Sequence, residues 1–153
     1  MPDVRGCHLP DDRLYDVENH VWFQELPDGN VRLGMTTVAT AMAGLLVAFT
    51  PKRVGRHVEP GKSCATVESG KWVGPAKAVA GGELVAVNEA LVNRPTLANE
   101  DPYGAGWMVL LKPEDWASAK AALVEGSQIG PRYEAKMSAD GFAGCICAID
   151  PKP

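Results

Sequence analysis

Residues able to carry chemistry are few in this chain, and they are scattered. The three histidines stand at 8, 20 and 57, and the four cysteines (Cys7, Cys64, Cys145 and Cys147) contain no Cys-x-x-Cys pair. No zinc-binding spacing results. Glu83 and Glu89 make no acid–base pair with any nucleophile, which argues against an independent enzyme. No run of about 18 apolar residues is present, so no membrane-spanning helix is expected. The longest apolar stretch, Val38 to Phe49, is broken by Thr40 and Gly44. An excess of positive charge is also missing. Lys and Arg number 15 against 19 Asp and Glu, giving a net charge of −4 and a pI of about 5.3. That excludes nucleic acid or an anionic membrane as the main partner. The opening MPDVRGCHLPDDR has no apolar core. No secretory signal is expected there, and the cytoplasm is the expected location. In that compartment an even cysteine count does not by itself imply disulfides.

What is present suits one folded domain. The chain has 153 residues, 46% hydrophobic and 22% charged, enough for a real core. Val21-Trp22-Phe23 predicts a strand over His20–Leu26. Pro27-Asp28-Gly29-Asn30 is a turn, and Val31–Met35 returns as the second strand of a hairpin. Thr36-Thr37 caps a short helix from Val38 to Ala43, ended by Gly44. Strands are then expected at Leu45–Thr50, Cys64–Ser69, Val73–Val79, Glu83–Asn88 and Trp107–Leu111. Glu89–Leu97 reads as a loop or helical turn. Pro113 is expected to open a helix from Glu114 to about Glu125, closed by Gly126. After it the tail has weaker organisation, with one further strand at Cys145–Ile149. Many short strands between Gly and Pro turns indicate a barrel or sandwich.

The most informative stretch is T-V-E-S-G-K-W-V-G-P. A strand through Val67 meets a tight turn at Ser69-Gly70-Lys71, and Trp72-Val73 start the return. Gly70 is compatible with a positive φ, which would let the chain reverse there. Lys71 then stands at the hairpin tip. A swinging-arm carrier needs such a lysine, because it supplies a long stem whose charge is removed on acylation. The cofactor brings the chemistry and the protein brings presentation. Glu68, three residues earlier, could help a modifying enzyme read the hairpin. The competing reading is that an exposed turn lysine is only a solvated charge, and spacing alone does not decide between them.

From Tyr15 to Pro113 the sequence resembles the H protein of the glycine cleavage system. The resemblance rests on His20-Val21-Trp22, on Gly34-Met35-Thr36-Thr37 with Ala39, Ala41 and Gly44, and on Val58-Glu59-Pro60-Gly61. It continues through Val67-Glu68-Ser69-Gly70-Lys71, Val87-Asn88-Glu89-Ala90-Leu91, Asp101-Pro102-Tyr103-Gly104, Gly106-Trp107 and Lys112-Pro113. It implies a mostly β fold, a barrel-sandwich hybrid or β-hammerhead with a short helix and a C-terminal helix. It also implies lipoic acid amide-linked to Lys71 and no catalytic residues of the chain's own. The implied organisation is an irregular leader over 1–14, a lipoyl-carrier domain over 15–126 and an extension over 127–153. The implied partners are a lipoate ligase or lipoyl transferase, dihydrolipoamide dehydrogenase and the glycine cleavage enzymes.

The sequence departs from that family's usual E-S-V-K-A-A-S. Gly70 precedes Lys71, and Trp72-Val73-Gly74 follow it. Trp72 would set a large ring beside the lipoyl arm, or it would only pack the hairpin. These departures and the extra cysteines resemble a branch of lipoate-binding proteins that serves a heterodisulfide-reductase-like complex in cytoplasmic sulfur oxidation. That branch is the leading expectation, with the glycine cleavage H protein as the alternative. A biotin carrier fits less well, since Gly70 and Trp72 stand where that family has methionines. An unmodified binding module remains a third class. Cys145 and Cys147 could exchange thiols with a lipoyl dithiol or simply pack a terminal strand. Cys64 is expected in the core, Cys7 exposed or loosely packed in the leader, and His20 in a structural hydrogen bond. Asn99, Asp101 and Tyr103 are expected to fix a loop.

Overall fold

A computed structural model describes residues 3–142, 144 and 145. The chain opens with a small hairpin, β1 (Asp3–Val4) and β2 (Cys7–His8). Next come β3 (Leu14–Asp16), β4 (Val21–Glu25) and β5 (Val31–Met35), followed by α1 (Thr37–Ala43), β6 (Leu46–Pro51) and β7 (His57–Val58). β8 (Lys62–Ser69), β9 (Val73–Ala78) and β10 (Gly82–Val87) continue the chain, then two short helices, α2 (Glu89–Asn93) and α3 (Leu97–Glu100). β11 (Val109–Pro113), α4 (Trp116–Ala121), β12 (Val124–Glu125) and α5 (Ile129–Asp140) complete it.

A seven-stranded sheet in the order β12-β3-β4-β5-β11-β10-β7 faces a three-stranded sheet, β6-β8-β9. The sheets share a core that includes Phe23, Leu33, Phe49, Val67, Leu84 and Leu111. β9 shows why the sequence reads as strand. Gly74, Ala76 and Ala78 are buried, while Val73, Pro75 and Lys77 face out, the period of two that a half-buried strand requires. This is the mostly β barrel-sandwich type expected. The capped helix is present as well. Thr36 accepts a hydrogen bond from the Ala39 amide, and Gly44 takes a φ of 85° at the helix end, a conformation that favours glycine.

The two chain ends differ from expectation. The segment read as an irregular leader contains the β1–β2 hairpin, and Val4, Cys7 and Leu9 are buried in a second apolar cluster. That cluster also includes Tyr15, Trp22, Ile129, Tyr133 and Met137. The weakly organised tail holds α5, the longest helix among the described residues, stopped by Gly141 at φ 69°. Pro113 does not open a helix. It ends β11 opposite Gly82, and the helix that follows is only Trp116–Ala121, capped by Asp115. The β5 pairing ends at Leu111 opposite Val31, so the Pro113 nitrogen faces no strand on that side and costs no ladder bond.

Cys7 is neither exposed nor loose. It is fully buried and joined to Cys145 by a disulfide across 138 residues of sequence. The reading of Cys145 with Cys147 is therefore corrected for Cys145, while Cys147 and the strand expected over 146–149 lie outside the described residues. Cys64 is in the core as expected. Among the described residues no helix is long and apolar enough to cross a membrane.

Candidate functional site: a lysine hairpin beside an apolar cleft

β8 and β9 form the long hairpin that carries Lys71. Glu68 pairs with Val73, and the four residues between them make the turn. The Ser69 amide donates to the Trp72 carbonyl at 2.7 Å, and the Lys71 amide donates to the Ser69 hydroxyl at 3.3 Å. Buried Ser69 thus ties the tip from inside and leaves Lys71 exposed. Gly70 does not act as expected. Its φ is not positive, and a Cβ placed on it would meet nothing within 4 Å. The turn is closed by Ser69 rather than by glycine's backbone freedom.

Alternation along β8 separates its side chains. Val67 points into the protein and Glu68 points out to solvent, so Glu68 sits on the hairpin's outer surface. Trp72 is 40% exposed and lies over Gly74, where any Cβ would collide with the indole. The sequence pair Trp72/Gly74 is thus a ring and the flat seat it needs.

Beside the hairpin a cleft of about 450 Å³ opens between α1, β4 and β9, within the size range of small-ligand sites. Its walls include Met35, Ala39, Met42, Val67 and Trp72, with Asn19 and His20 also lining it and Lys71 at its edge. The Lys71 stem leans toward the end of α1. Its Cε lies 3.6 Å from where a Cβ on Gly44 would stand. A Cβ there would make only an ordinary contact with the stem, so glycine at this cap is required by its φ of 85° and not by the lysine. The α1–β6 turn is held by Asn99, which donates to the Gly44 carbonyl and accepts from the Leu46 amide, each at 2.9 Å. Beyond it β6 bulges between Leu46 and Ala48. Leu45, Val47 and Val73, 68%, 60% and 62% exposed, form an apolar rim near the tip.

His20 has a φ of 58°, uncommon for a side-chain-bearing residue. Its carbonyl accepts from the Thr36 amide at 3.1 Å. Its ring stacks on Tyr133 with centroids 5.7 Å apart and meets the Tyr133 hydroxyl through Nδ1 at 3.0 Å. Burial, chiefly, pushes its pKa below the usual histidine value, so the imidazole is neutral at pH 7. The structural hydrogen bond read for His20 is present, but its place in the cleft wall was not foreseen. Met35, Ala39 and Met42 were likewise missed as wall residues. Asn99 fixes a loop as expected. Asp101 does the same, its carboxylate accepting from the Ala105 amide at 2.9 Å. Among the described residues no group of His, Cys, Asp and Glu could hold a metal ion.

An exposed lysine on a rigid hairpin, raised from a two-sheet β sandwich, defines the carrier class of protein, in which a flexible covalent arm does the travelling. The chain belongs to the glycine cleavage H-protein family, whose model matches residues 13–136. Members of that family are non-catalytic carriers with lipoate covalently bound to a lysine. The chain is 51% identical over 132 residues to glycine cleavage system H protein 5 of Aquifex aeolicus, covering 84% of this chain and 88% of that one. It is 45% identical over 130 residues to probable glycine cleavage system H protein 2 of Sulfurisphaera tokodaii, covering 83% and 86%. The crystal structure of a glycine cleavage system H protein from Mycobacterium marinum superposes with a TM-score of 0.71. It is 37% identical and covers 86% of this chain and 98% of that one.

Proposed function

We propose that Lys71 is the lipoyl attachment site and that the chain shuttles a group between separate enzymes on that arm. The observation that carries this is the Ser69-tied tip, which holds an exposed lysine beside an apolar cleft. The residues fit the group. Once the amine is acylated the arm is an uncharged chain ending in two sulfurs, and the cleft beside it is lined mainly by apolar side chains. Lipoate supplies the redox and group-carrying sulfur pair. Ser69 fixes the backbone from which the stem leaves, and Glu68 with the apolar rim offers a surface for the modifying ligase or transferase to read.

Family membership favours the glycine cleavage setting, with an aminomethyl group as cargo and dihydrolipoamide dehydrogenase to reoxidise the arm. Service to a heterodisulfide-reductase-like complex in sulfur oxidation is a second reading. One observation favours it: Gly70 and Trp72 flank Lys71, and Trp72 walls the cleft. Either setting is read as cytoplasmic. The test is intact mass and peptide mapping of the protein co-expressed with a lipoate ligase and lipoate. A lipoyl increment on Lys71, absent from Lys71→Arg, is expected. A bare Lys71, or a lipoyl group on another lysine, overturns the proposal.

A further inference from the structure

Positive charge is spread unevenly over this acidic chain. Between Pro51 and Ser63 four cations, Lys52, Arg53, Arg56 and Lys62, stand against one carboxylate, Glu59, although the net charge of the whole is −4. Lys77 joins them, because β9 sets it opposite Ser63. Elsewhere Arg5, Arg13, Arg94, Lys120 and Lys136 sit in ion pairs. Among the described residues Lys52, Arg53, Arg56, Lys62 and Lys77 pair with no carboxylate. The carboxylates at hand are engaged by other groups. His57 holds Glu59 at 3.2 Å and Glu114 at 2.9 Å, and Glu83 stands across from Lys112. Lys52, Arg56 and Lys62 line one groove of about 340 Å³.

The loop that carries the arginines is pinned to both sheets. The Lys52 amide donates to the Cys64 carbonyl at 3.0 Å and the Gly55 amide to the Leu84 carbonyl at 2.7 Å. The Arg56 amide donates to the Arg53 carbonyl, and the Leu84 amide to the Arg56 carbonyl, each at 3.0 Å. Gly55 supplies the left-handed turn with a φ of 91°. In that turn Val54, flanked by Arg53 and Arg56, is 56% exposed. An apolar side chain held out among unpaired charges has the make-up of a docking surface, with an apolar contact and a polar rim. The patch also lies far from Lys71. β8 runs from Lys62 to Ser69, which sets the two ends about 23 Å apart at the usual strand rise.

We infer that Lys52, Arg53, Val54, Arg56, Lys62 and Lys77 form a docking surface for an acidic protein segment bearing an apolar residue, which holds the chain by the end remote from Lys71. Carboxylate side chains match the unpaired cations, and the apolar residue covers Val54. Phosphate groups fit less well. They are gripped through free backbone N–H groups, and here the Lys52, Gly55 and Arg56 amides are already spent on carbonyls. A long polyanion would also meet the negative charge of the rest of the chain. A partner seated at this end leaves the hairpin tip uncovered, so one protein can hold the chain while Lys71 faces another. The inference stands whatever Lys71 carries.

The probe is a fluorescent peptide with one leucine set among glutamates, titrated into the full chain by anisotropy at low salt. Binding that weakens as salt rises is expected, as for exposed charges. The double variant Arg53→Glu/Arg56→Glu should weaken it at least about tenfold, and Lys77→Glu, on a different strand, should weaken it too. Val54→Ser should cost about threefold, through the lost apolar contact. Arg132→Glu reverses a cation on α5 and should leave binding within about twofold. Thermal melts check that each variant folds. By NMR the Gly55 and Arg56 amides should shift with the peptide while the Trp72 indole stays in place. No binding to the wild type, or equal weakening by Arg132→Glu and by the double variant, overturns the inference. So does an unchanged affinity in the double variant or in Val54→Ser, or a Trp72 indole that moves with the Gly55 amide. Tighter binding of single-stranded DNA or of phosphatidylserine vesicles than of the peptide would assign the surface to another class of partner and overturn it as well.

Discussion

The Asn99 side-chain amide grips Gly44 from across the fold, donating to its carbonyl at 2.9 Å while accepting from the Leu46 amide at the same distance. This grip fixes the turn that borders the Lys71 stem. Asn99→Ala should lower stability by about 1–3 kcal/mol, because two backbone groups lose their partner. It should also speed amide exchange at Leu46 more than at Val67, a difference that hydrogen-exchange mass spectrometry resolves. Uniform acceleration across both strands would show that Asn99 does not act locally.

Glycines near the site should respond unequally to alanine. Gly70 has an ordinary φ and open space around it, so Gly70→Ala should stay within about 0.5 kcal/mol of wild type and remain a substrate for lipoylation. Gly34 lies under the Trp22 indole, where a Cβ would stand 2.9 Å from the ring. Gly34→Ala should cost about 1–3 kcal/mol by overpacking. Thermal melts of the two variants check the contrast.

How far the sequence carries the fold is clearest around that hairpin. Ser69-Gly70-Lys71 lies between two strand-forming runs, so the tip is a local property and legible. The helix from Thr37 to Ala43 is legible for the same reason, with a threonine cap and a glycine stop. The cleft is not. Its walls come from His20, Met35, Met42 and Trp72, brought together by the sheets rather than by any spacing. Proline suits a helix start, so the sequence around Pro113 predicts a helix, but pairing with Gly82 assigns Pro113 to a strand end. The Cys7–Cys145 pair spans 138 residues, and only the packing of β1, β2 and α5 brings those two sulfurs within reach.

Cys64 should be inert in the native protein. Burial pushes its thiol up to about 12, and the thiolate is the reactive form. Iodoacetamide at pH 8 should leave it unmodified for hours and label it promptly in denaturant. Fast labelling without denaturant would mean the β8–β9 sheet opens readily.

His20 should make the fold sensitive to mild acid. Burial, chiefly, and then Lys136 hold its folded pKa down, against the upward pull of Asp140, Asp16 and Glu18. The unfolded chain takes up a proton near pH 6.5 and the folded chain resists it. The contribution is therefore whole above about pH 6.5 and is lost as pH falls from there toward the lower folded value. Melting temperatures should drop between pH 7 and 5 more steeply in wild type than in His20→Gln. Parallel slopes would remove His20 as the cause.

With Cys7 bonded to Cys145, nearly the whole polypeptide becomes a closed ring, and every hairpin and helix from β3 to α5 lies within it. A protease that cuts one exposed turn would open the ring without separating any piece from the rest. The nicked protein would run as a single band until a reducing agent divides it. The same closure shrinks the unfolded ensemble, by about 4.7 kcal/mol for a loop of 100 residues on chain-entropy grounds. In this carrier, whose working part is a swinging arm, the body behind the arm is thus a covalently hooped frame.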